Sequence, residues 1–246
     1  MTRLTSCPDA DGVAARAAAV IEGHLQRARE QRGVAHIALS GGTTPGHAFE
    51  LLAASDCDWD GVEVWFADER CVSPEDEQSN FRLAAQTLLE PAAIDPASVH
   101  RMQGELGPEE GAHRYALELT ERLDAEPRGG GAPTGVPVLD AVVLGIGPDG
   151  HVASLFPGAA TLDAGADAVC LGVSDSPKPP PQRITLSLAV LRAARACILL
   201  ATGASKADAV TAMLGEPTPH VPASLLLRER LTVIVDGAAA PTGPLR

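Results

Sequence analysis

The sequence has few aromatic residues and only two lysines. Phenylalanine, tryptophan and tyrosine make up 3% of the 246 residues, and Lys178 and Lys206 stand against seventeen arginines. A bias that removed lysine elsewhere left these two in place, although chance explains either one alone equally well. The two lysines are therefore candidate functional residues.

Several kinds of segment are missing. No apolar run approaches the ~18 residues of a membrane-spanning helix, and the N-terminus carries Asp9 and Asp11 in place of an apolar signal core. We therefore expect no secretory signal and no membrane partner. The five cysteines are scattered and form no C-x-x-C pair. This pattern predicts neither a zinc site nor a disulfide framework, and it favours reduced thiols in the cytoplasm.

Positive charge is also scarce, because the formal net charge is −13. Such a surface repels nucleic acid at long range, so no nucleic-acid partner is expected. An anionic small molecule would have to be bound by local donors. The hydrophobic content of 45% is ordinary for a globular protein.

Apolar periodicity predicts helices and strands in alternation. Predicted helices cover 8–32, 46–54, 81–90, 108–124, 187–194 and 205–214. Predicted strands cover 34–39, 62–67, 98–102, 139–146, 168–173, 183–186, 196–201 and 231–236. The alternation predicts one α/β domain over 1–246, doubly wound and Rossmann-like, with a mainly parallel sheet and helices on both faces; residues 126–137 are predicted as a surface loop. Ligands of such sheets bind beyond the carboxyl ends of the strands, where every unusual motif of this chain lies.

The first motif is "LSGGTTPG", which follows the first predicted strand. Gly41 and Gly42 let the backbone approach an anion, and a helix N-terminus supplies free amides. The hydroxyls of Thr43 and Thr44 add donors, and Pro45 fits the first helical position. The motif predicts a phosphate site; a tight strand-to-helix turn is the alternative.

The second motif is "WFADER", in which charged residues end an apolar strand. Asp68, Glu69 and Arg70 could position a substrate or shift a pKa. A solvated loop with local ion pairs explains the pattern about as well. In the following "DEQSN", Ser79 or Asn80 could cap the next helix and do nothing else.

Residues 144–158 read "LGIGPDGHVASLFPG" and contain the G-x-G-x-x-G pattern of dinucleotide sites. Pro157 interrupts the helix that such a site needs, so a nicotinamide enzyme is a distant alternative. What remains is a glycine-lined turn with Asp149 and His151. Histidine titrates near neutral pH and can take a proton from water, while a nearby carboxylate can orient its ring. A helix-capping histidine is the alternative.

Two further segments carry the lysines. In "PKPPPQRITLS", consecutive prolines stiffen a loop that presents Lys178 and Arg183, although such a run is often an exposed linker. In "TGASKA", Lys206 lies in the first turn of a predicted helix, where a cation is unfavourable unless an anion lies beside it. A surface lysine is the alternative. The remaining histidines show no ligand-like spacing, so no metal site is predicted, and no G-x-S-x-G elbow is present.

Taken together, "LSGGTTP", "WFADER", "DEQSN", "GIGPDGHVASLFPG", "KPPPQRITLS" and "TGASKA" resemble, in order and spacing, the 6-phosphogluconolactonase family. The resemblance covers nearly the whole chain. It implies hydrolysis of 6-phospho-D-glucono-1,5-lactone to 6-phosphogluconate, the second step of the oxidative pentose phosphate route, without a metal, nucleotide or other cofactor. The expected partner is this phosphorylated sugar lactone, bound by a monomer or a small homo-oligomer.

The glucosamine-6-phosphate deaminase/isomerase family is similar and stays open as an alternative. That family has a catalytic glutamate where this chain has Phe156, and a tyrosine where it has Arg70. Both differences favour the lactonase. A sugar-phosphate sensor without catalytic activity is a third reading.

The residues and the resemblance together predict a mechanism. Gly41, Gly42, Thr43 and Thr44 are expected to bind the phosphate, with Arg183 and Lys206 supplying charge and Lys178 a further candidate contact. Catalysis is expected from His151 as base, steered by Asp149. Arg70, or amides near Gly147, would stabilise the oxyanion, and Asp68 completes the candidate catalytic set.

Overall fold

The computed structural model describes residues 2–123 and 135–241. Its strands are β1 (Arg3–Cys7), β2 (Ala35–Leu39), β3 (Val62–Phe66), β4 (Asp68–Arg70), β5 (Ala141–Gly145), β6 (Cys170–Val173), β7 (Arg183–Leu186), β8 (Cys197–Ala201) and β9 (Leu231–Asp236). Its α-helices are α1 (Ala10–Arg32), α2 (Thr43–Ala53), α3 (Asn80–Ala84), α4 (Pro108–Arg122), α5 (Leu188–Ala193) and α6 (Ala207–Met213). A π-helical turn, Ala85–Leu89, continues α3, and short 3₁₀ turns include Ala204–Lys206.

The strands form two sheets. The main sheet has six strands in the order β1-β9-β8-β5-β2-β3, and all of its pairs are parallel. The predicted doubly wound, mainly parallel α/β fold is therefore confirmed. A smaller antiparallel sheet, β4-β7-β6, was not predicted. Within it Arg70 pairs with Arg183, which brings two separate motifs side by side.

Several predicted elements differ from the structure. The strand predicted at 98–102 is wrong: Pro96–Ser98 form a 3₁₀ turn and only Val99 makes a bridge, to Val64. The helix predicted at 46–54 begins at Thr43, so Pro45 is its third residue and not its first. Strand β1 was missed because its sequence, RLTSC, is largely polar, and β4 because it consists of only three charged residues. The loop predicted at 126–137 lies mostly outside the described residues.

Helix α1 shows how local sequence builds the core. The Asp9 side chain caps it by accepting from the Gly12 amide, and Gly33 ends it in the left-handed conformation with φ of 78°. Its buried stripe, which includes Ile21 and Leu25, belongs to the hydrophobic cluster that covers the main sheet. No helix among the described ranges is long and apolar enough to cross a membrane.

The edge strand β3 is secured by a buried tyrosine. The Tyr115 hydroxyl accepts from the Phe66 amide at 2.7 Å and donates to the Phe66 carbonyl at 3.1 Å. Both backbone groups are thus satisfied at an edge that would otherwise leave them unpaired. This fixes the end of β3 two residues before Asp68.

The strand order locates the site. Strands β2 and β5 are neighbours, and the chain proceeds from β2 outward to β3 but from β5 in the opposite direction to β8 and β9. This is a topological switch point, where loops leaving the carboxyl ends diverge and open a crevice. The loops after β2, β5 and β8 carry three of the motifs singled out in the sequence.

Candidate active site

A cleft of about 220 Å³ lies in this crevice. It brings together predicted residues from every motif; those that line it are Gly41, Gly42, Thr43, Thr44, Asp68, Arg70, His151, Lys178, Arg183 and Lys206. Asp149 is not part of the lining, but it hydrogen-bonds to His151. The predicted convergence of distant turns is thus observed.

The turn between β2 and α2 forms one wall. Gly42 is the N-cap of α2 at φ of 113°, a conformation that favours glycine. Gly41 is required for a different reason, since a Cβ there would lie 1.8 Å from Asn80 Oδ1. The Thr44 hydroxyl lies 2.7 Å from that of Thr202, which joins this turn to the loop after β8. An eleven-residue helix therefore directs its positive N-terminal end to the cleft.

Strand β4 supplies two buried carboxylates with different surroundings. Glu69 accepts from the amides of Arg70, Asn80 and Phe81 and from the Ser79 hydroxyl. Burial nevertheless outweighs these four hydrogen bonds and raises the pKa of Glu69. Its contacts hold the start of α3 against β4, so its role is structural.

Asp68 lines the cleft and belongs to a network of polar side chains. It accepts from the Ser154 hydroxyl at 2.7 Å and from Asn80 Nδ2 at 3.1 Å. Neither partner was predicted to be part of the site. Ser79 does cap α3, by accepting from the Arg82 amide at 3.1 Å, whereas the adjacent Asn80 lines the cleft. The sequence pattern alone does not show which of the two residues caps the helix and which lines the cleft.

Three buried polar atoms on cleft residues have no hydrogen-bond partner within the described ranges: Ser40 Oγ, Asn80 Oδ1 and Arg70 Nε. Unsatisfied groups of this kind are rare in folded proteins and concentrate at functional sites. Ser40 precedes Gly41 and was not singled out in the sequence, because a serine in a turn carries no distinct signal. Arg70 is anchored through Nη1, which donates to the Gln78 carbonyl.

His151 and Asp149 form a hydrogen-bonded dyad in the turn after β5. His151 Nδ1 lies 2.5 Å from Asp149 Oδ1. Burial opposes ionisation of Asp149, but the hydrogen bond from His151 and the Lys178 ammonium prevail and hold its pKa at about 2. An ionised carboxylate can only accept, so Nδ1 carries the proton and neutral His151 keeps its lone pair on Nε2.

The surroundings of His151 favour its neutral form. Burial lowers the pKa of His151, and the Lys178 ammonium adds to this, while Asp149 and Asp68 oppose it. The ring packs against the ring of Phe156, with centroids 4.7 Å apart. A histidine that is neutral near pH 7 and has a free Nε2 can act as a base.

The proline-rich loop is organised by Arg183. Its guanidinium donates to the carbonyls of Lys178, Pro179 and Pro180 at 3.0 to 3.2 Å. Burial lowers the pKa of Arg183. Arg183 therefore both anchors the proline-rich loop and lines the cleft. The sequence predicted only that it supplies positive charge.

Lys206 is the last residue of the 3₁₀ turn Ala204–Lys206, and its backbone amide donates to the Gly203 carbonyl at 3.0 Å. Its side-chain ammonium lines the cleft and makes no hydrogen bond to the described residues. Burial lowers the pKa of Lys206, the Lys178 ammonium lowers it further, and Asp149 opposes both. Two ammonium groups and two guanidinium groups therefore line one cleft in a protein of net charge −13. This concentration of donors suits a small anion.

In residues 2–123 and 135–241, no three or more histidine, cysteine, aspartate or glutamate side chains are grouped so that they could hold a metal ion. The five cysteines are free thiols. Burial raises the pKa of Cys57 and of Cys71 to about 11.

Comparison with known proteins assigns the class. The family model described as glucosamine-6-phosphate isomerases/6-phosphogluconolactonase matches residues 8–235, and the chain belongs to this family. The resemblance read from the motifs is therefore confirmed.

Individual relatives indicate which of the two activities in the family description the chain resembles. The chain is 37% identical to a 6-phosphogluconolactonase of Streptomyces coelicolor, over 96% of this chain and 92% of that protein. It is 37% identical to a 6-phosphogluconolactonase of Mycobacterium tuberculosis, over 88% of each chain. The crystal structure of 6-phosphogluconolactonase from Leishmania guyanensis superposes with a TM-score of 0.84 at 30% identity, covering 97% of both chains.

Proposed function

We propose that the protein hydrolyses 6-phospho-D-glucono-1,5-lactone to 6-phospho-D-gluconate, in the oxidative pentose phosphate pathway. The observation that carries this proposal is the position of the His151–Asp149 dyad in one cleft with the N-terminus of α2 and Lys206. One end of the cleft suits a phosphate and the other suits activation of water. The names of the relatives support the same substrate.

The phosphate is held at the glycine-rich turn. The amides at the start of α2 and the hydroxyls of Thr43 and Thr44 donate to its oxygens, and Lys206 supplies a point charge. Arg183 adds positive charge from the buried side. Anchoring the phosphate orients the lactone carbonyl toward the dyad, which lowers the entropic part of the barrier.

His151 Nε2 removes a proton from the attacking water, and Asp149 stabilises the imidazolium that forms. Water oxygen bonds to C1 of the lactone, and the carbonyl oxygen becomes an oxyanion. The Gly147 amide already donates to the His151 carbonyl at 2.9 Å, so Arg70 is assigned to the oxyanion. Asp68, which accepts a hydrogen bond from Ser154 and lies two residues from Arg70 in β4, orients groups on this side of the cleft.

The tetrahedral intermediate collapses when the bond between C1 and the ring oxygen breaks. The ring oxygen leaves as the C5 hydroxyl after taking up a proton, and the proton held on His151 is available for this step. An ester of this kind is already activated, so the proposed reaction uses protein side chains and water, with no cofactor. We also propose a cytoplasmic location and a monomer or small homo-oligomer without nucleic-acid or membrane partners.

The test is turnover of freshly prepared 6-phosphogluconolactone, corrected for spontaneous hydrolysis, by the wild type and by His151→Ala. The wild type should be fast, and the variant should lose about 10²- to 10⁴-fold in kcat while remaining folded. Near-wild-type turnover by a folded His151→Ala would overturn the base assignment. Ammonia release from glucosamine 6-phosphate would instead favour the deaminase. That outcome is not expected, because buried Phe156 lies against His151 at the position where that family has its glutamate.

A further inference from the structure

Lys178 contacts both members of the catalytic dyad. Its Nζ lies 3.2 Å from each carboxylate oxygen of Asp149 and 3.3 Å from His151 Nδ1. The three groups therefore form a closed triangle, in which one carboxylate is shared by an imidazole and an ammonium. Lys206, the other lysine of the cleft, has no such contact in the described structure.

The donors and acceptors on the three side chains determine which hydrogen bonds form within the triangle. An ammonium has three donors and no acceptor, and an ionised carboxylate only accepts. Asp149 can therefore receive both the Nδ1–H of His151 and a proton of Lys178. With Nδ1 protonated, that nitrogen has no lone pair to accept from Lys178. The hydrogen bond of Lys178 is therefore to Asp149, and its effect on the ring is that of a nearby positive charge.

Hydrogen bonds to the backbone of Lys178 hold this residue in place. Its carbonyl accepts from the Ser176 hydroxyl at 2.8 Å and from Arg183 Nη2 at 3.2 Å, and its amide donates to the same hydroxyl at 3.2 Å. The side chain thus reaches the dyad from an anchored base.

We propose that Lys178 is a positioning residue for the water-activating dyad, which orients Asp149 and disfavours the imidazolium form of His151, and that Lys206 alone of the two lysines binds the phosphate. A cation beside the ring opposes protonation of His151. The other charged groups facing His151 across the cleft are Asp68, Arg70, Arg183 and Lys206. Of these, Asp68 opposes the effect of Lys178, and the lowered pKa of His151 agrees with the geometry.

The experiment compares Lys178→Met with the wild type by two readouts. The first is the NMR titration of the His151 ring without substrate, assigned from the signal lost in His151→Asn. The second is the pH profile of kcat/KM for the lactone. Removing the cation should raise the ring pKa by about one unit, at the low end of charge effects because Lys178 is partly exposed. At pH values below the ring pKa of both enzymes, kcat/KM should fall by up to about tenfold relative to the wild type, and the difference should narrow toward pH 8, where the ring is neutral in both.

Matched variants separate the possible roles. Lys178→Arg should restore most of the wild-type titration because it keeps the charge. Arg114→Met removes the same charge from the exposed face of α4 and should leave the ring pKa unchanged. Lys206→Ala should act chiefly on KM. If Lys178→Met unfolds, Lys178→Gln carries the same test.

Two outcomes would overturn the proposal: an unchanged ring pKa in folded Lys178→Met, or a tenfold rise in KM with an unmoved acid limb, which would make Lys178 a phosphate ligand. The kinetic readout rests on the proposed function, whereas the NMR titration does not. If the wild type fails to hydrolyse the lactone, the proposed function fails and the titration still decides the role of Lys178.

Discussion

Gly147→Ala tests whether the dyad must be held as closely as the structure shows. A Cβ at this position would lie 2.0 Å from His151 Nδ1 and 2.3 Å from Asp149 Oδ1, whereas ordinary contacts begin at 3.4 Å. The dyad or the turn must therefore move by about 1.0 to 1.4 Å. Misplacement of a catalytic group by about 1 Å costs on the order of 100-fold in rate, so kcat should fall by roughly that factor. KM should change little, because Gly147 is not among the residues proposed to bind the phosphate.

The assay is initial-rate hydrolysis of fresh lactone, with thermal unfolding as a check on folding. Gly135→Ala is the matched control, because a Cβ there has no neighbour within 4 Å among the described residues. It should retain full activity. A folded Gly147→Ala enzyme with more than half of the wild-type kcat would refute the reasoning, because it would show that the close packing around the dyad is not needed for turnover.

Three further predictions follow from the structure. Lys206→Ala should raise KM for the phosphorylated lactone at least tenfold by steady-state kinetics, since it removes a charge-assisted phosphate contact; an unchanged KM would exclude that contact. The acid limb of kcat/KM should have its midpoint below about pH 6.5, because burial lowers the pKa of His151 and activity is lost as pH falls through that value; a midpoint above neutrality would contradict this. Tyr115→Phe should lower the free energy of unfolding by about 1–3 kcal/mol in urea titrations, because it leaves the buried amide and carbonyl of Phe66 unpaired; a loss below about 0.5 kcal/mol would show that other groups satisfy them.

The parallel sheet could be predicted because its strands are buried on both faces and read as continuous apolar runs. "AVVLG" and "CILLA", the strands β5 and β8, are of this kind. The small sheet could not be predicted in the same way. Strand β4 is only Asp68–Arg70, and its pairing with β7 depends on a partner more than a hundred residues away. Polar residues in a strand this short look like a loop.

The residues of the candidate site also divide into those that could be predicted from the sequence and those that could not. Glycines and charged residues after strands pointed to Gly41, His151 and Lys206 because the carboxyl ends of parallel strands meet at one edge. The supporting groups could not be found this way. Ser154 reaches Asp68 across 86 positions of sequence, and its residue type is common in any turn.

The cleft lining is drawn from residues 40–45, 68–80, 145–153, 178–183 and 200–206, so it exists only when chain segments far apart in sequence have all docked. No fragment that ends before Lys206 or begins after Ser40 contains all of it. Turnover therefore reports that these segments have docked. Activity regained during refolding measures the fraction of molecules in which the segments that include or follow β2, β4, β5, β7 and β8 have come together, and chains in which only some of them have docked are inactive in that assay.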